Sequence, residues 1–184
     1  MKLLKDICYS AAPHSGSYRE AAEDAHTPSP KAQALVDRLH QLGWYISFAE
    51  SCTGGKAAAG IVDVPSASNV FQSSFVTYAN DAKVQLLDVS PASITQYGVV
   101  SEPVAGEMAM GAAKKASAQV GVGISGIAGP SGGTATKPVG TVCFGFYIDG
   151  KLYTKTVQFG NIGRNAVREQ SVDFVYDFLL EHLE

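Results

Sequence analysis

Residues 44–62 read WYISFAESCTGGKAAAGIV. Trp44-Tyr45-Ile46-Ser47-Phe48 is aromatic and apolar, the composition of a buried strand. Ala57 to Val62 is small and apolar and reads as helix. The turn between them crowds together a carboxylate (Glu50), two hydroxyls (Ser51 and Thr53), a thiol (Cys52) and two glycines (Gly54 and Gly55). A buried strand running straight into a helix is the unit of an α/β layered domain. The spacing predicts a strand over 44–49 and a helix from about Thr53.

Working outward, the pattern continues. Ser29-Pro30 opens a helix whose apolar positions Ala32, Leu35, Val36, Leu39 and Leu42 share one face, and Gly43 stops it. Residues 70–79 are β-rich. Short helices are predicted over 81–87 and near 91–97, the second ending at Gly98. Ser101-Glu102-Pro103 begins a long small-residue helix through Ser117. Strands follow at 119–125, 139–148 and 152–159, with Asp149-Gly150 as a two-residue hairpin signal between the last two. A final helix spans about 163–182. The terminal hairpin makes the sheet mixed. Residues 1–30 are irregular, rich in Ser, Pro, Ala and charge, and are expected to form an extension dispensable for folding of the single domain at 31–184.

Composition narrows the function. The chain has 184 residues, 46% of them hydrophobic, and a net charge of −3. That suits one domain with a real core and gives no basic surface for nucleic acid. No apolar run is long enough for a membrane span, and Asp6 interrupts what would be a signal segment, so a cytoplasmic location is expected. Cys8, Cys52 and Cys143 are odd in number and without CxxC spacing, which indicates neither a disulfide framework nor a zinc site.

Two tempting motifs fail. "GGKA" lacks the first glycine and the final Ser/Thr of a phosphate loop, with Glu50 and Ala57 in those places. "GVGISG", Gly121 to Gly126, fits GxGxxG but leads into "IAGPSGG", which cannot be a helix. The histidines are His14, His26, His40 and His182, so none lies between 41 and 181. A nucleophile in this stretch needs another base than histidine.

Three further clusters surround the opening turn. In the turn itself, Ser51 faces a helix start whose free N–H groups and dipole suit an oxyanion; equally, Ser51 or Thr53 caps the helix, and Glu50 bonds backbone amides. Cys52 is the competing nucleophile, since a helix N-terminus lowers a thiol pKa. In "SFVTYANDAK", Lys83 lies in the first turn of a helix, where dipole and burial favour a neutral amine able to take a serine proton; a solvated lysine is the alternative. The loop "SGIAGPSGGTATKPVG" is either an anion nest, to which Lys137 adds charge, or a flexible surface segment. No arginine occurs between 39 and 163, so Arg164 and Arg168 are the guanidiniums within reach, and Arg164 at a helix start suits a phosphate.

"AESCTGG", "FVTYANDAK", "YGVVSEPVAGEMAMGA" and "SGIAGPSGGTATKPVGTV" resemble, in order and in register from about residue 31, the C-terminal domain of the competence-damage-inducible protein CinA. The resemblance implies a three-layer α/β/α domain, usually oligomeric. It implies hydrolysis of nicotinamide mononucleotide to nicotinic acid mononucleotide and ammonia, the activity of the stand-alone form, with neither metal nor cofactor. Ser51 then matches the nucleophile, Lys83 the base, Tyr78 the residue that orients or relays to it, and Arg164 a supporting arginine. Substrate contacts are expected from Glu50, Thr53, Gly54, Gly55, Gly129, Gly132, Gly133, Thr134, Lys137 and Arg164. Lys56, after "TGG", is an unfamiliar choice at the entrance. The alternative is a non-catalytic nucleotide-binding module associated with competence or DNA damage.

Overall fold

The computed structural model describes residues 27–183. Most of the expected extension therefore lies outside the described residues, as do Cys8, His14 and His26.

Pro30 at the first turn and Gly43 in the left-handed region bracket α1 (Pro30–Leu42). β1 (Ile46–Glu50) follows and is buried throughout. The next helix, α2 (Lys56–Val62), starts three residues later than the composition suggests. Gly54 and Gly55 take φ of 62° and 93°, which no right-handed helix accommodates. After a 3-10 turn come β2 (Phe75–Val76), α3 (Asn80–Leu87), α4 (Pro91–Tyr97), α5 (Glu102–Ala116), β3 (Val120–Gly126), β4 (Thr141–Ile148), β5 (Lys151–Gln158) and α6 (Arg164–His182). The β-rich stretch 70–79 yields only the two residues of β2 and one bridge, Ile46 with Phe71. Its physical reason is a side chain in the ladder's place: Ser74 Oγ accepts the Phe48 N–H at 2.8 Å.

The sheet order is β2-β1-β3-β4-β5. β2, β1 and β3 run parallel, while β4 and β5 are antiparallel. The mixed sheet expected from the hairpin is thus present, and Asp149 and Gly150 make its turn with φ of 43° and 87°. Such a turn needs positive φ at both central residues.

Alternation along the strands gives the sheet two buried faces. Ile46, Phe48, Val120, Val122, Ile124, Phe144 and Phe146 pack against Leu35 and Leu39 of α1, Ile61 of α2, and Val175, Tyr176 and Leu179 of α6. Val104, Met108 and Ala112 of α5, with Leu87 and Val89, cover Ala49 on the other side. These are the three layers. The two glycines of the β3 "GVG", Gly121 and Gly123, belong to this second face. A Cβ on Gly121 would lie 2.1 Å from Ala109 O, and one on Gly123 2.1 Å from Ala105 O. The glycines therefore let the α5 backbone sit directly on the sheet, which is a packing role and not phosphate binding. Among the described residues no helix is long and apolar enough to cross a membrane.

Candidate active site

The parallel strands β1 and β3 end together, and Ser51 leaves the sheet at that edge. Its N–H donates to Ile124 O at 3.0 Å, and the preceding carbonyl of Glu50 accepts from Thr77 N at 2.8 Å. The serine is thus fixed between β3 and the chain that leaves β2.

Glu50 is 1% exposed. Its carboxylate turns back into the start of α2 and accepts the N–H groups of Gly55 (2.9 Å), Ala57 (3.3 Å) and Ala58 (2.9 Å). It supplies the cap; neither Ser51 nor Thr53 does, since the N-cap position is Gly55, which has no side chain of its own to cap with. The expectation that α2 offers its free donors to an oxyanion is corrected accordingly, because an anion already occupies them. Glu50 likewise faces the helix and not an open substrate side. The donors left over are the N–H groups of Cys52 and Thr53, from which no oxygen among the described residues accepts. They act on the buried Cys52 thiol, but burial dominates there and pushes its pKa up to about 11. The helix start therefore does not make Cys52 a thiolate.

Lys83 is also 1% exposed. Its amine donates to Thr77 O at 2.7 Å, lies 3.4 Å from Tyr78 O, and stands 3.5 Å from Ser51 Oγ. Among the described residues no carboxylate pairs with it. Burial without a counter-charge lowers its pKa below the usual lysine value. The alternative of a solvated lysine is excluded.

Tyr78 is 64% exposed, and its hydroxyl accepts from Arg164 Nη2 at 3.0 Å. It meets Lys83 through its carbonyl, not through its phenol. Arg164 also donates through Nη1 to Gly129 O at 2.8 Å, joining α6 to the glycine-rich loop. Gly129 and Gly132 have φ of 87° and 91°, and a Cβ on Gly133 would lie 2.8 Å from Val139 N. Thr134 and Lys137 close a turn on each other, and Lys137 Nζ donates to Tyr97 O at the end of α4 at 2.9 Å. Lys137 therefore does not join the Ser51 group. Lys56 pairs with Glu169 at 3.5 Å, on the α2–α6 surface. Thr53 is buried with its hydroxyl unpartnered, and its carbonyl accepts from Arg168 Nη2 at 2.9 Å. Arg168 is the residue sequence reasoning left without a role; the absence of other arginines had singled it out beside Arg164.

Among the described residues no histidine is a partner of Ser51: His182 bonds Phe178 O and stacks on that ring. Among the described residues no cluster of His, Cys, Asp and Glu could hold a metal ion.

A sequence model of the CinA C-terminal domain matches residues 29–183. The chain belongs to this family. The CinA C-terminal domain described here is 49% identical over 149 residues to the nicotinamide-nucleotide amidohydrolase PncC of Enterobacter agglomerans, covering 74% of this chain and 90% of that protein. It is 45% identical over 147 residues to a CinA-like protein of Kosmotoga olearia, covering 80% of this chain but only 35% of the relative. Its fold matches the crystal structure of a CinA superfamily protein from Escherichia coli with a TM-score of 0.80 and 38% identity, over 84% of this chain and 89% of that one.

Proposed function

We propose that this CinA C-terminal domain is an amidohydrolase that converts nicotinamide mononucleotide to nicotinic acid mononucleotide and ammonia, a step of pyridine nucleotide salvage, with Ser51 as nucleophile and Lys83 as its base. The observation that carries this reading is the placement of the Lys83 amine. The carbonyls of Thr77 and Tyr78 lie 2.7 and 3.4 Å from it and can receive two hydrogens, and Ser51 Oγ is its third polar neighbour at 3.5 Å. A neutral amine held this way presents its lone pair to the serine proton. The depressed pKa supplies that neutral form at lower pH than a free lysine would. The 49% identity to a nicotinamide-nucleotide amidohydrolase, 90% of which this chain covers, supports the substrate.

The reaction then balances as follows. Lys83 takes the Ser51 proton as Oγ attacks the carboxamide carbon. The carbonyl oxygen gains the negative charge and is received by the N–H groups of Cys52 and Thr53. Lys83 returns its proton to the departing nitrogen, and ammonia leaves. A water gives a proton to Lys83 and its hydroxide to the acyl carbon; the proton goes back to Ser51. A separation of 3.5 Å is long for a hydrogen bond, as catalytic pairs often are before substrate binds. Arg164 uses two donors on Gly129 O and Tyr78 Oη, which leaves others for the 5′-phosphate beside the glycine-rich loop. Ammonia release on mixing the chain with nicotinamide mononucleotide tests the reading. Binding of the nucleotide without ammonia at micromolar protein over hours would favour the non-catalytic module instead.

A further inference from the structure

Two arginines project from the first turns of α6, at positions where a cation opposes the helix dipole. Among the described residues neither has a carboxylate partner. Stabilisation of the helix does not explain them. They are four residues apart and so lie on one side of α6. Arg164 reaches Tyr78 and Gly129, on the Lys83 side of Ser51. Arg168 reaches the other side: Nη2 donates to Thr53 O at 2.9 Å, Nη1 to Asn165 Oδ1 at 3.2 Å, and Nε is buried without a partner.

Thr53 O belongs to the peptide that leads into the left-handed Gly54, and Thr53 N–H is one of the two donors of the turn from which no oxygen among the described residues accepts. The turn's other contacts to this carbonyl are poor: Lys56 N approaches it only at 3.4 Å. A Cβ on Gly54 would stand 3.5 Å from Arg168 Nη2, so the guanidinium lies within van der Waals contact of the turn. We infer that Arg168 is a positioning residue, whose planar guanidinium fixes the Thr53–Gly54 peptide and thereby aims the Cys52 and Thr53 N–H groups at the reacting carbonyl. The inference rests on the amidohydrolase reading for its catalytic consequence, but the contact it assigns does not.

The test compares the full-length chain with Arg168→Ala and Arg168→Lys, reading kcat and KM for ammonia release and the amide ¹H–¹⁵N shifts of Thr53 and Gly54. In Arg168→Ala, kcat is expected to fall about 10-fold or more with KM within about 2-fold, because misdirected donors weaken only the transition state. The two amides shift, and millimolar guanidinium restores both rate and shifts. Arg168→Lys keeps the charge without the planar fork, stays folded if the alanine variant does not, and shows the same loss of kcat and the same displaced amides. A raised KM at unchanged kcat would place Arg168 on the substrate and overturn the inference. Unmoved Thr53 and Gly54 amides would overturn it whatever the rates. A wild-type chain that releases no ammonia would instead sink the amidohydrolase reading, while the amide shifts and their rescue by guanidinium still decide whether Arg168 sets the turn.

Discussion

Glu50 and Lys83 are each 1% exposed and each lies against Ser51, yet the fold satisfies them in opposite ways. Glu50 meets three backbone N–H groups at the positive end of α2, so its charge is matched where it stands. Lys83 meets two carbonyls and a serine hydroxyl, which accept hydrogens but supply no full negative charge. The first arrangement makes a buried charge structural. The second leaves the charged form costly and the neutral form accessible. In the proposed mechanism the chemistry falls to the less satisfied side of the serine, and the better satisfied side holds the turn still.

The largest effects are expected on activity. Ser51→Ala should lower ammonia release by roughly 10³-fold or more, and Lys83→Met by about 10²- to 10⁴-fold. Melting curves should show Lys83→Met no less stable than wild type, since an apolar chain of similar length replaces an uncompensated amine. An active Ser51→Ala would move the chemistry away from this turn altogether.

Glu50→Gln should behave conversely. Loss of the carboxylate cap costs ~2–3 kcal/mol of stability in urea unfolding. A variant as stable as wild type but with raised KM would put Glu50 on the substrate side, as the family resemblance implied.

The comparison also predicts a pH slope. Below its lowered folded pKa, Lys83 is protonated in both states, and the folded state carries the full burial cost. Between that pKa and the unfolded value of 10.5, the unfolded chain binds the extra proton. Stability from this group therefore rises with pH across that window, by up to ~1.4 kcal/mol per unit. Lys83→Met should remove the slope, which urea titrations from neutral to alkaline pH will read. An unchanged slope would mean that another group causes it.

Much of this was legible in sequence because it is local. Pro30, Gly43 and the Asp149-Gly150 turn announce their own conformations, and the lack of histidine between 41 and 181 already demanded another base. The 3.6-residue pattern of Leu35, Val36 and Leu39 names a buried helix face. What was not legible depends on which groups tertiary packing brings together. The sequence offered backbone amides as one set of partners for Glu50 but could not choose them over a substrate, and nothing local says that Ser74 replaces a ladder carbonyl opposite Phe48 or that Lys137 caps α4. GxGxxG at Gly121 has the spacing of a phosphate motif, and only the closeness of α5 reveals its packing role. Arg168 was visible as a rarity, but its partner, the Thr53 carbonyl, lies 115 residues away in sequence.

Cys52→Ala should show the smallest effect: a few-fold at most in rate and about 1 kcal/mol in stability, from lost packing. With the thiol pKa at about 11, no thiolate is available near neutral pH. A dead Cys52→Ala beside a live Ser51→Ala would exchange the two roles.

The most direct test is the titration of Lys83 itself, followed through its ¹³Cε resonance in the wild-type chain, with Lys83→Met providing the assignment. Its midpoint should lie below those of the exposed lysines and coincide with the acidic limb of kcat/KM for nicotinamide mononucleotide. A midpoint shared with the exposed lysines, or an acidic limb that stays in place when Lys83 titrates elsewhere, would contradict a neutral Lys83 as the base for Ser51.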